Sequence, residues 1–116
     1  MSWDISLLDP ITKTELVAET KHNLCGGTYC LGGTNSLWFN ITYNYGSIYS
    51  EHGLDINGLA GKTAAEVIPH LDKVISELKD DVNDDYWEPT EGNAKKALID
   101  LRALFKIRPD GIIDIC

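Results

Sequence analysis

The spacing of the apolar residues changes along this chain, and that change limits the possible folds more than any other feature. Trp3, Ile5 and Leu7 alternate with polar residues, as in a strand that buries one face. Later apolar residues recur three and four apart, over 64–78 and again over 94–105, as on one face of a helix. A chain of 116 residues with both periods predicts a single α+β domain, residues 1–116.

Turn signals divide the first part of the chain, and its last residues, into about four short strands. Asp9 and Pro10 predict a turn between strands at 3–8 and 14–18, so the domain is expected to begin with a β-hairpin. A short third strand is expected within 26–31, where glycine pairs lie at both ends. The apolar residues 112–115 predict a last strand beside the hairpin.

Capping signals favour about three helices packed against these strands. A capping box at 63–66 opens a helix over 64–78, in which Pro69 is expected to cause a kink or a restart. Thr90 is expected to cap another helix, whose buried face covers 94–105.

The segment 35–52 fits two structures. Apolar side chains alternate over 37–45, which indicates a strand, whereas polar residues over 36–51 recur at helical spacing. A capping residue at 34 or 35 and a glycine at Gly53 would bound a helix well. We therefore favour a helix here and keep a strand as the alternative.

Composition excludes several classes of function. The net charge of −8 disfavours general nucleic-acid binding and attachment to an anionic membrane. No apolar run is long enough to span a membrane, and no secretory signal is present, so we expect a cytoplasmic protein. In that compartment Cys25, Cys30 and Cys116 would be reduced.

Two Gly-Gly-Thr triplets, six residues apart, form the candidate binding segment. If a helix begins at Thr34, the backbone N–H groups around Gly32 and Gly33 would attract a phosphate or carboxylate. The alternative is that the glycines serve turns and the threonine only caps the helix.

Other residues could complete a site for a small, nucleotide-like anion. Asn40 and Asn44 would read its polar edge, and Tyr29 or Trp38 would stack on a ring. A positive charge to neutralise the anion would come from Arg102 or Arg108.

Metal, cofactor and catalytic signatures are weak. His22, Cys25 and Cys30 match no zinc-ligand spacing, and we predict no metal and no cofactor. No acid–base constellation stands at a fixed spacing, so a small phosphodiesterase using His22 or His70 ranks last among the hypotheses.

Several short stretches together resemble a family of small proteins found in bacteria and their phages. The resemblance spans nearly the whole chain and rests on Trp3-Asp4-Ile5, Asp9-Pro10, the doubled Gly-Gly-Thr, residues 40–45, residues 85–94 and Arg108-Pro109-Asp110-Gly111. It implies a cytoplasmic, phage-encoded accessory or counter-defence protein. It assigns no role to any residue.

The leading hypothesis is a non-catalytic binding protein, expected to be a homo-oligomer, that sequesters a small anionic ligand or a host protein. The alternative is an acidic protein-interaction module, in which residues 80–91, with Tyr86 and Trp87, dock on a basic host surface. In this sequence Trp87 is expected to anchor the acidic loop onto the core.

Overall fold

The computed structural model describes residues 1–28 and 30–116, and its elements confirm the α+β prediction. Five strands and three helices follow one another within these described residues. They are β1 (Ser2–Leu8), β2 (Val17–His22), β3 (Thr34–Ser36), β4 (Trp38–Thr42), α1 (Gly46–Glu51), α2 (Ala64–Glu77), α3 (Glu91–Ile107) and β5 (Ile112–Ile115).

A three-stranded antiparallel sheet has β1 at its centre, with the strand order β4-β1-β5. Ile5 lies opposite Phe39 of β4 on one side and Ile115 of β5 on the other. Ile5 and Leu7 are fully buried, as their alternation with polar residues predicts. The prediction that 112–115 forms a strand beside the first strand is confirmed.

The predicted hairpin is reduced to a single bridge. The chain reverses after Asp9, and only Leu8 and Glu15 form an antiparallel bridge, beside a 2.9 Å hydrogen bond from the Leu16 N–H to the Leu7 carbonyl. The returning segment then continues as β2 and pairs with β3 in a separate two-stranded sheet. The physical reason is that β4 and β5 already occupy both edges of β1.

The preference for a helix over 35–52 is wrong for its first half. Residues 34–36 and 38–42 form β3 and β4, so the alternating apolar pattern identified the structure there. The helical half starts later, because the Thr42 side chain accepts the Asn44 N–H and caps a 3-10 turn that leads into α1. The third strand predicted within 26–31 is also wrong: its described residues form one bridge, at Gly26, and turns.

The two long helices agree closely with the sequence. Thr63 caps α2 by accepting the Glu66 N–H, and Thr90 caps α3 by accepting the Asn93 N–H. Helix α2 passes through Pro69 without a restart. Both helices bury their apolar faces in one core with the three-stranded sheet.

Cys25 and Cys30 form a disulfide, which corrects the expectation that they are reduced. Their Cα atoms lie 6.4 Å apart, within the range that a disulfide spans. Cys116 is free and exposed. Since disulfides are uncommon in a reducing cytoplasm, the cytoplasmic location stays a prediction.

Reducing this disulfide should lower the free energy of unfolding by about 2 kcal/mol, because the short cross-link restricts the unfolded chain. Urea unfolding with and without a thiol reductant measures the difference. The Cys116→Ser variant is the control and should respond to the reductant as the wild type does. An unchanged unfolding midpoint after complete reduction would contradict the prediction.

Candidate functional site

No helix begins at the glycine triplet, so the prediction of a helix N-terminus there is wrong. Thr34 is the first residue of β3, and its hydroxyl accepts the Ser36 N–H at 3.1 Å. The Gly33 N–H donates to the Cys30 carbonyl at 2.8 Å and is committed to a turn. Gly32 lies in the same turn with a positive φ of 75°.

The two asparagines predicted to read a ligand have protein partners. Asn40 is buried, and its amide donates to the Ser2 hydroxyl at 2.6 Å and to the Asp4 carboxylate at 2.9 Å. The amide of Asn44 donates to the Trp87 carbonyl at 2.8 Å. Both side chains therefore join segments of the chain to one another.

The cationic and aromatic members of the predicted site are dispersed over the fold. Arg102 pairs with Asp72 of α2 at 2.6 Å, and Arg108 pairs with Asp110 at 2.8 Å. Trp38 is half-buried at the start of β4, whereas the predicted stacking residue Tyr29 lies outside the described residues. Ligand binding by these residues stays a prediction.

The histidine–cysteine group predicted as a weak metal candidate is engaged in the fold. The Nδ1 atom of His22 accepts the Leu24 N–H at 3.0 Å, so Nε2 carries the proton and donates to the Ser36 carbonyl at 2.8 Å. Cys25 and Cys30 bond to each other. Among residues 1–28 and 30–116, no three His, Cys, Asp or Glu side chains are placed to hold a metal ion.

A cleft that the sequence did not predict lies between the acidic segment 80–90 and α3. Its volume is about 250 Å³. The aromatic residues beside it are Tyr86, which is partly exposed, and Tyr45, which is fully buried, and the charged lining consists of Asp84, Lys96 and Asp100. Residues from four separate parts of the sequence meet here, which is why spacing alone could not reveal it.

Asn93 organises the acidic segment from the first turn of α3. Its side-chain oxygen accepts the Asn83 N–H at 2.8 Å, and its amide donates to the carbonyls of Asp85 and Glu88 at 2.9 and 3.1 Å. The side chain is 6% exposed and makes all three bonds to backbone. The one available signal for this role in the sequence was an amide side chain in the first turn of the helix that Thr90 caps.

Tyr86 anchors the acidic segment, which corrects the expectation for Trp87. The Tyr86 ring lies 5.5 Å from that of Tyr45, and the Tyr45 hydroxyl donates to the Tyr86 carbonyl. Burial raises the pKa of both tyrosine hydroxyls, so they stay protonated. Trp87 stacks outside, 5.1 Å from the Tyr86 ring, and is 49% exposed.

A second exposed aromatic side chain lies beside the segment. Tyr43 packs edge-on against Trp3 at 4.7 Å and is 42% exposed. Its neighbour Asn44 donates to the Trp87 carbonyl, so the backbone next to Tyr43 is joined to the acidic segment.

Negative charge is concentrated in the same region. Six of the chain's 18 acidic residues fall between positions 80 and 91. Asp80 pairs with Lys95 at 2.7 Å, and Asp81 accepts the Gly92 N–H at 3.0 Å. Asp84 and Glu88 are exposed.

The charges in the cleft influence one another. Partial burial raises the pKa of the Asp100 carboxyl above its usual range, whereas Lys96, one helical turn away, acts to lower it. Asp100 thus has a carboxylate that is incompletely solvated and lines the same cleft as Tyr86.

The fold places the chain in the α+β class. Comparison with known proteins does not assign it to a family within that class. No family model matches the sequence, and neither a curated protein nor a solved structure is significantly similar to it. Of the helices in the described part of the chain, none has both the length and the apolar character needed to cross a bilayer.

Proposed function

We propose that this is a non-catalytic binding protein that docks on a basic protein surface. The docking surface is its acidic face, defined as Asp80, Asp81, Asp84, Asp85, Trp87 and Glu88. The observation that carries the proposal is that exposed carboxylates and an exposed tryptophan lie together on a segment held rigidly from beneath by Asn93 and Tyr86.

The charge of the acidic face would act mainly on association. Carboxylates concentrated on one face attract a basic partner over about 10 Å at moderate ionic strength and orient its approach. Rim charges of this kind contribute more to the rate and specificity of association than to affinity.

Affinity would come from the exposed aromatic side chains. Trp87 is 49% exposed among the carboxylates of the acidic face, and Tyr43, which precedes Asn44, is 42% exposed. Tryptophan and tyrosine are enriched among residues that dominate binding energy at protein interfaces. A preordered segment also loses little conformational entropy on binding.

The sequestration of a small anion, favoured by the sequence, has lost its main support because no helix starts at Thr34. A phage origin, a homo-oligomer and a host partner remain proposals that rest on sequence alone.

Neutralising two carboxylates tests the docking proposal. The double variant Asp84→Asn, Asp85→Asn should weaken binding of a lysine-rich peptide by about tenfold, which corresponds to about 1.4 kcal/mol. Asparagine at position 85 can still accept the Trp87 N–H, so the segment keeps its shape. Calorimetry at several salt concentrations measures both the affinity and its salt dependence.

The matched control is Glu15→Gln with Glu19→Gln, which changes net charge equally at exposed positions near the second sheet. This control should change peptide affinity less than twofold. Equal losses in the two double variants, or binding that does not respond to salt, would refute docking at the acidic face.

A further inference from the structure

The cleft beside the acidic face combines carboxylates with apolar surface, which suits a cation carried on an aliphatic chain. Tyr86 and Val82 supply apolar lining, whereas Tyr45, which packs against Tyr86, is fully buried. The carboxylates of Asp84 and Asp100 lie in the same lining. A volume of about 250 Å³ is large enough for one extended side chain.

We propose that this cleft binds the ammonium group of a lysine side chain presented by the docked partner. The inference rests on the proposed function for the identity of the partner, but the chemistry of the cleft can be tested independently of it. Asp100 would pair with the ammonium group, and the Tyr86 ring and the Val82 side chain would contact the methylene chain.

Asp100 is the group most suited to this role. It projects from the middle of α3, is half-buried, and has no hydrogen-bond or salt-bridge partner among residues 1–28 and 30–116. A partly desolvated carboxylate gains more from a bound cation than an exposed one does, because less solvent screens the pair.

Lys96 decides between a cationic and an anionic ligand. It lies exposed at the same cleft, one turn before Asp100. A bound ammonium group would be repelled by Lys96, whereas an anionic or zwitterionic ligand would use it. Removing this charge therefore changes affinity in opposite directions for the two classes.

The experiment is an NMR titration of the full chain with n-butylammonium chloride at constant ionic strength. Butyrate and n-butanol serve as probes of the same length with negative or no charge. We expect saturable shifts at Tyr45, Tyr86 and Asn83 with butylammonium only. Asp100→Asn should weaken this binding by about fivefold, and Lys96→Met should strengthen it by about twofold.

Several results would overturn the inference: no saturable shift in the cleft, tighter binding of butyrate, or weaker butylammonium binding in Lys96→Met. The amide spectrum of each variant confirms that it is folded. If butylammonium fails while the lysine-rich peptide still binds in a salt-dependent way, only the cleft assignment fails. If butylammonium binds and the peptide does not, docking at the acidic face fails while the cleft assignment stands.

Discussion

Replacing Gly26 by alanine is expected to lower the free energy of unfolding by about 4 kcal/mol. Gly26 forms a bridge to Asn40 at the outer edge of β4 and has a positive φ of 66°. A Cβ there would overlap the Asn40 carbonyl oxygen and lie 2.9 Å from the Phe39 ring. Since the Asn40 carbonyl is part of the backbone, it cannot move away without breaking the bridge between Gly26 and the sheet.

Gly32→Ala is the matched control, because Gly32 has a similar φ of 75° but no atom within 4 Å of the added Cβ. Its cost should be only that of the left-handed conformation, about 1 kcal/mol. Denaturant unfolding of both variants separates the cost of the steric overlap from the cost of the left-handed backbone conformation. Equal losses in the two variants would mean that the close approach to Asn40 does not occur.

Replacing Asn93 by aspartate should cost about 3 kcal/mol in the free energy of unfolding. Aspartate keeps the shape of the side chain and can still accept the Asn83 N–H. It cannot donate to the carbonyls of Asp85 and Glu88, and it places a buried negative charge beside an acidic segment. We expect the segment 85–88 to lose its protection from amide hydrogen exchange before the core does.

Asn57→Asp makes the same chemical change at an exposed position and should alter stability by less than about 0.5 kcal/mol. If Asn93→Asp is equally mild, Asn93 does not hold the acidic segment. The two asparagine variants also distinguish the effect of an added negative charge on peptide binding from the effect of a changed conformation of the acidic segment. Only Asn93→Asp should weaken binding of the lysine-rich peptide, although both variants add negative charge.

Helices α2 and α3 could be predicted from the sequence because their signals are local. Thr63 and Thr90 lie within three residues of the N–H groups that they cap. Their apolar faces repeat over three or more turns, so the helical period stays clear even where a single residue departs from it. The strands at 2–8 and 112–115 were recognisable for the same reason.

The segment 35–52 could not be assigned because two periods coexist in it. Strand pairing to β1 decides the first half, and that pairing depends on residues more than 30 positions away. The Thr42 cap decides where the helical half begins. The capping residues expected at 34 and 35 do not precede a helix. Neither the spacing of apolar residues nor a capping residue specifies which strand or helix a segment packs against in the folded protein.

The candidate site depends even more on contacts between distant residues than the segment 35–52 does. By itself, the sequence determined the α+β class, the two long helices and the concentration of acidic residues over 80–91. Only the tertiary structure decided that Asn40 and Asn44 hydrogen-bond to other segments of the chain. It also decided that Tyr86 anchors the acidic segment and that Asp100 shares a cleft with Tyr45. Helix capping and periodicity act over a few residues, whereas a cleft is formed by contacts between residues far apart in the chain, which no local pattern records.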